Sequence, residues 1–168
     1  GAFIFALNEL VQARYYGLDY SSSLIDIARL ALPEAYFIAS EASAPVFDDI
    51  SFDIIFSHSV FQYFPNLDYA NTVIERWCKN IKQGGMLVLL DLNDKNHEDN
   101  YHSERMLAYT SPDDYYDTYK GLEHLFFDKA SLVSKLKACG MTSIECFDHA
   151  VTDYGNAKFR FNISCIKA

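Results

Sequence analysis

Three features of the sequence predict a doubly wound α/β fold, with a mostly parallel sheet, helices on both faces and an antiparallel strand pair near the C-terminal end. Short apolar runs alternate with segments of helical periodicity. Two of the runs, residues 51–57 and 86–92, are almost continuously apolar, as suits strands covered on both faces. The last two runs are joined by a connection too short for a crossover, which makes that pair antiparallel. The earlier strands need crossovers, and helices used as crossovers hide both faces of a sheet.

Residues 2–13 open the chain as a helix, with Phe3, Ile4, Leu7, Leu10 and Val11 at helical spacing. Residues 14–20 form a short aromatic strand ending in Asp19-Tyr20-Ser21, where a serine can cap the next helix, which runs through Ile25 and Ala28 to Pro33. Residues 35–39 give a second strand and residues 51–57 a third, after a loop at 45–49. Residues 66–83 form a long amphipathic helix with Tyr69, Val73, Ile74, Trp77 and Ile81 on one side, stopped by Gly84-Gly85. Residues 86–92 are the fourth strand. Residues 93–120 break the rhythm: they are polar, rich in Asp and Tyr and weakly periodic, and are expected to be a lid-like insertion. Residues 128–139 form a helix that Asp128 caps and Gly140 closes. Residues 142–149 and 158–167 are the final strands. A length of 168 residues suits one domain over 1–168.

Lys and Arg number 14 against 23 Asp and Glu, a formal charge of -9, which argues against a nucleic-acid backbone or an anionic membrane as the main partner. The four cysteines form no CxxC pair and sit in apolar or helical settings, so they are expected to be reduced and mostly buried, in a cytoplasmic protein. No apolar run approaches the ~18 residues of a membrane span, and no basic then apolar leader opens the chain.

In doubly wound sheets the ligand lies beyond the carboxyl ends of the strands. Asp19 ends the first strand, Glu41 follows the second, Ser57-His58-Ser59 ends the third, and Asp91 and Asn93 end the fourth. Carboxylates after two successive strands suit a nucleoside: one accepts from both ribose hydroxyls, the other from an adenine amino group. An Asp at a strand end is also a common helix cap, so both roles are open for Asp19.

These segments resemble the class I S-adenosylmethionine-dependent methyltransferases. Tyr16-Gly17-Leu18-Asp19-Tyr20-Ser21 is similar to the end of that family's second strand, and Phe37-Ile38-Ala39-Ser40-Glu41-Ala42 to its third-strand motif. The segment from Ser51 to Phe64 resembles the fourth strand and its turn, and Lys82-Gln83-Gly84-Gly85-Met86-Leu87 the entry to the fifth. The resemblance implies S-adenosylmethionine as cofactor, with Asp19 at the ribose, Tyr20 also in the cofactor site, Glu41 and Ala42 near the adenine, and Ser57 and His58 beside the reacting end. Gly1 resembles the last glycine of the family's glycine-rich loop. It stands eighteen positions before Asp19, close to the roughly twenty expected of nucleotide-binding βαβ units. The rest of that loop and the strand before it have no counterpart here, so the expectation is a longer natural protein or, failing that, a silent domain.

Methyl transfer can draw most of its acceleration from positioning, and an oxygen or nitrogen acceptor can also need a base. The candidates are His58, His97 and His102, since the ordinary pKa of a histidine suits that work. His124 and His149 read as structural. His97 and His102 stand at i and i+5, off the i, i+4 face of helical zinc sites, so no metal is expected. Tyr109, Tyr115, Tyr116 and Tyr119 can line an acceptor pocket or pack as a bland lid. The reading is a methyltransferase for a small-molecule acceptor. The alternatives are a catalytically silent domain of the same fold and a nicotinamide-dependent oxidoreductase.

Overall fold

Strand β1 (Tyr16–Asp19) pairs in parallel with β2 (Tyr36–Ala39), from Tyr16↔Tyr36 to Asp19↔Ala39, in the computed structural model, which describes residues 1–151 and 153–168. The pair belongs to the first of two units, Gly1–Asp48 and Asp49–Ala168. Helix α1 (Ala2–Asn8) precedes it and α2 (Ser22–Ala31) connects its strands. Ser21 caps α2 by accepting the Leu24 N–H. Ile25, Ala28, Leu32 and Phe37 form the buried core of this unit, with Ile4 and Ala35 packed against it. Gly17 makes the core possible, because a Cβ there would lie 2.4 Å from the Phe37 ring. Helix α1 is shorter than the 2–13 expected. It buries no residue and carries no side-chain cap, and Leu10 beyond it is 81% exposed, so little offsets the entropy of extending it.

The second unit holds β3 (Phe52–His58), α3 (Leu67–Lys79), β4 (Ile81–Asn93), α4 (Glu98–Met106), α5 (Pro112–Tyr119), α6 (Lys129–Ala138), β5 (Met141–Phe147) and β6 (Arg160–Lys167). Its sheet runs β3-β4-β6-β5. Strand β3 is parallel to β4, and β6 is antiparallel to both β4 and β5. The carboxyl ends of β3, β4 and β5 therefore share one edge with the start of β6. Helix α3 packs on β4 and α6 on β5. Leu87, Leu89, Phe161, Ile163, Val73, Ile74 and Leu136 are almost fully buried in this unit.

The α/β alternation, the parallel pairs and the antiparallel β5–β6 pair agree with the sequence reading. Four details differ. Helix α3 ends at Lys79 rather than at Gly84-Gly85, because Asn80 closes it and Ile81 is already buried in β4. The two glycines instead make an irregularity inside β4, where the register slips between Phe52↔Ile81 and Ile54↔Met86. Gly84 has φ +73°, and a Cβ on Gly85 would sit 2.8 Å from Ile81 Cγ2 and 2.9 Å from the Asp53 carbonyl.

Strand β3 is an edge of its sheet and leaves Ile54 57% exposed, although its apolar run suggested cover on both faces. The expected lid contains two helices, α4 and α5, the second capped by Ser111 and started by Pro112. Cys78 and Cys165 are buried, and burial pushes their thiols up to about 12 and about 11, whereas Cys146 is exposed. No helix among the described residues is long and apolar enough to cross a membrane.

Candidate functional site

Asp19 ends β1, where its Oδ1 accepts the Ser21 N–H at 2.8 Å. That bond turns the chain from strand into helix, but the cap of α2 is Ser21 and not Asp19, so the capping role open for Asp19 falls to its neighbour. Its Oδ2 has no partner among the described residues, which leaves half the carboxylate for a ligand. The Asp19 carbonyl accepts the Ser40 N–H at 2.9 Å and ties the two strand ends together. Glu41 follows in a turn closed by the Ala44 N–H, and it is exposed while Ala42 is half-buried. Tyr20 is 79% exposed. Gly1 stands at the N-cap of α1, and a Cβ there would come within 2.8 Å of Ala28 Cβ.

In the second unit, Ser57 is buried near the end of β3, and its Oγ has no hydrogen-bond partner among the described residues. His58 is exposed beside it. The next residue, Ser59, has φ +55°, and its hydroxyl donates to Asp91 Oδ2 at 2.6 Å. His58 Nδ1 lies 3.2 Å from the same hydroxyl oxygen. Since the single hydroxyl proton goes to the carboxylate, the imidazole is the donor in that contact, which places the basic lone pair of neutral His58 on Nε2.

Asp91 is 1% exposed at φ +64° in β4. Its N–H donates to Asn162 Oδ1 at 2.9 Å, and Arg160 Nη1 donates to its carbonyl and to Oδ2. Tyr154 also donates to Oδ2, at 3.3 Å, and burial together with the Asp91 charge pushes the Tyr154 phenol up. Asn93, two residues on, donates to the Leu125 carbonyl. The Asp91 network joins the ends of β3 and β4 to the start of β6.

The lid histidines part company. His97 is exposed in a short turn at Lys95–His97. His102 is not a solvated loop residue: its Nδ1 is 2.7 Å from the Tyr115 hydroxyl, its ring meets Tyr101 and Phe126, and burial pulls its pKa down. No group of three or more His, Cys, Asp or Glu among the described residues is arranged to hold a metal ion. The tyrosines surround Arg105, which donates to the hydroxyls of Tyr101 (2.7 Å) and Tyr119 (2.6 Å) and lies over both rings. Tyr109 and Tyr115 join the cluster, whereas Tyr116 is 56% exposed, so most of these tyrosines build the insertion's interior.

His124 packs in the same cluster, with Nδ1 2.6 Å from the Tyr101 hydroxyl. Burial and the nearby Arg105 and Arg160 lower its pKa to about 4. His149, structural by its sequence setting, has its Nε2 3.2 Å from Asp91 Oδ1. Only the antiparallel return of β6 brings these residues together, so no local spacing could announce it.

Residues 1–89 match the family model described as a methyltransferase domain. N-methyltransferase NodS from Bradyrhizobium japonicum WM9, solved with S-adenosyl-L-homocysteine, superposes with a TM-score of 0.68 at 16% identity, over 99% of this chain and 72% of that one. Magnesium protoporphyrin IX methyltransferase from Synechocystis PCC 6803, solved with bound SAM, gives 0.65 at 12% identity, over 100% and 65%. At such identities the likeness shows a shared Rossmann-like fold. Chondramide synthase of Chondromyces crocatus is 42% identical over 60 residues, which is 36% of this chain and 2% of the synthase. The chain thus spans a small fraction of the curated relative it matches.

Proposed function

The chain belongs to the methyltransferase-domain family, a class I S-adenosylmethionine-dependent type, and on that premise we propose that it transfers a methyl group from S-adenosylmethionine to a small-molecule acceptor. The observation that carries the reading is Asp19 at the carboxyl end of β1, with one oxygen held by the Ser21 N–H and the other without a partner among the described residues. Such a carboxylate fits a ribose, because its remaining lone pairs accept from vicinal hydroxyls while the Ser21 N–H fixes its orientation. Glu41, with Ala42 beside it, is assigned to the adenine, and Tyr20 and Gly1 to the walls of the nucleoside site. Once bound, the cofactor supplies a methyl group activated by a sulfonium.

What this chain's residues then do is orient and move a proton. His58, held near Ser59 through Nδ1, is assigned as the acceptor of an O–H or N–H proton, and Ser57 stands beside it at the end of β3. His97 and His102 are less well placed for this role, since the first lies in the turn after β4 and the second is tied to Tyr115.

Ultraviolet crosslinking with methyl-labelled S-adenosylmethionine tests the cofactor without knowledge of the acceptor. The expected result is labelling that S-adenosylhomocysteine competes away and nicotinamide adenine dinucleotide does not. A folded chain that takes no label supports the silent domain, and competition by the dinucleotide supports the oxidoreductase.

A further inference from the structure

Beyond the carboxyl ends of β4 and β5, beside the start of β6, the second unit has an open cavity of about 420 Å³. Small-molecule sites usually run from about 300 to 1,000 Å³, so this one has room for a single ring with substituents. Its wall is about half polar, with Asp94, Lys129, Asp148, His149, Tyr154 and Arg160 among the contributors. Behind the wall lies an unfinished hydrogen-bond network. Arg160 and Asp91 have side chains 3% and 2% exposed, yet Arg160 Nε and Asp91 Oδ1 have no hydrogen-bond partner among the described residues. His149 Nε2 is also without one, being close to Asp91 Oδ1 but off the line a hydrogen bond needs. Buried polar atoms left in that state are costly, and two of these three belong to His149 and Arg160, which line the cavity and mark it as a place where a ligand completes the network.

The charges restrict what that ligand can be. An anion would face Asp94 and Asp148 with Asp91 behind, and a cation would face Lys129, Lys158 and Arg160. All three cations are already matched, Lys129 to Asp94 at 2.9 Å, Lys158 to Glu104 at 2.5 Å and Arg160 to Asp91 at 3.3 Å, so the wall has no strong surplus to offer a single charge. An apolar molecule would strip water from all of them. A neutral molecule with several hydroxyls fits, since each hydroxyl donates to a carboxylate and accepts from an ammonium or guanidinium. Tyr154, whose ring lies 5.5 Å from that of His149, adds an aromatic surface for the C–H face of such a ring.

We propose that this cavity binds a neutral polyhydroxylated ring of monosaccharide size, and that this is the polar part of the methyl acceptor. The role as acceptor rests on the methyltransferase reading; the binding does not. The test is shift mapping in ¹H–¹⁵N spectra of the full chain, with methyl α-D-glucopyranoside and myo-inositol as probes, succinate and ethylammonium as charged counterparts, and a parallel titration with S-adenosylhomocysteine.

At least one of the two neutral probes is expected to give saturable shifts at Asp148, His149, Tyr154 and Arg160, with affinity about tenfold weaker in His149→Gln or Tyr154→Phe. Tyr154→Phe keeps the test alive should His149→Gln fail to fold. Absence of those shifts with both neutral probes, equal affinity in both variants, or tighter binding of either charged probe overturns the proposal. If S-adenosylhomocysteine binds while the polyols leave the cavity unmoved, only this inference falls. If the polyols bind and S-adenosylhomocysteine does not, the site stands and the methyltransferase reading falls.

Discussion

Ser59 and Asp91 meet across the ends of β3 and β4, hydroxyl to carboxylate at 2.6 Å, and both hold positive φ angles, +55° and +64°. Non-glycine residues adopt such angles rarely, and here two of them are fixed by one hydrogen bond to a buried carboxylate. Ser59→Ala removes the donor and keeps the strained backbone, and is expected to cost about 1.5–3 kcal/mol. Ser59→Gly also loses the bond but adopts the backbone freely, so its cost should be about 1 kcal/mol smaller. Urea unfolding of the two variants checks this. A glycine variant less stable than the alanine one would contradict it.

The glycine pair in β4 gives a prediction from packing. Gly85→Ala would place a methyl group 2.8 Å from Ile81 Cγ2 and 2.9 Å from the carbonyl oxygens of Asp53 and Lys82. Two of the three obstacles are backbone, which cannot rotate away, so destabilisation of about 1–3 kcal/mol is expected, read as a lower midpoint of thermal unfolding. An unchanged midpoint would show that β4 has slack at its irregularity.

His124 makes the aromatic cluster sensitive to acid. His124 shares the Tyr101 hydroxyl with Arg105, and its burial beside Arg105 and Arg160 disfavours a charge on its ring. Its folded pKa, about 4 against an ordinary 6.5, means that the unfolded chain binds the extra proton first as the pH falls. Stability contributed by this group is complete above pH 6.5 and declines between pH 6.5 and 4, with His102 adding in the same direction. Urea midpoints at pH 7.5 and pH 5 should differ, with the acid value lower, and His124→Gln should narrow the gap. A gap unaffected by the substitution would place the sensitivity elsewhere.

Much of this is legible in the residues. Helix α6 starts after Asp128 and precedes Gly140, as its cap and stop residues predict, because both are local chemistry. The strands lie close to where apolar runs meet turn residues. The end of α3 escapes such reading because Gly84-Gly85 looks the same to a local eye whether it stops a helix or bends a strand; the burial of Ile81 decides, and burial is tertiary. The insertion hides its helices because Tyr101 and Tyr115 are core residues with polar tips, which blur an apolar periodicity. In the candidate site, Asp19 can be read from its strand end, whereas the Asp91, His149 and Arg160 cluster cannot, since it exists only through the pairing of β6 with β4 and β5.

The central claim, that this chain holds S-adenosylmethionine through Asp19, is tested most directly by calorimetric titration of the full chain with S-adenosylhomocysteine, beside Asp19→Ala and Asp19→Asn. The asparagine variant keeps an oxygen for the Ser21 N–H, which separates loss of that turn bond from loss of the carboxylate. The account predicts micromolar binding by the parent chain, weakened by about 1–3 kcal/mol in both variants. Equal affinity in all three, or no binding by a folded parent chain, would contradict it.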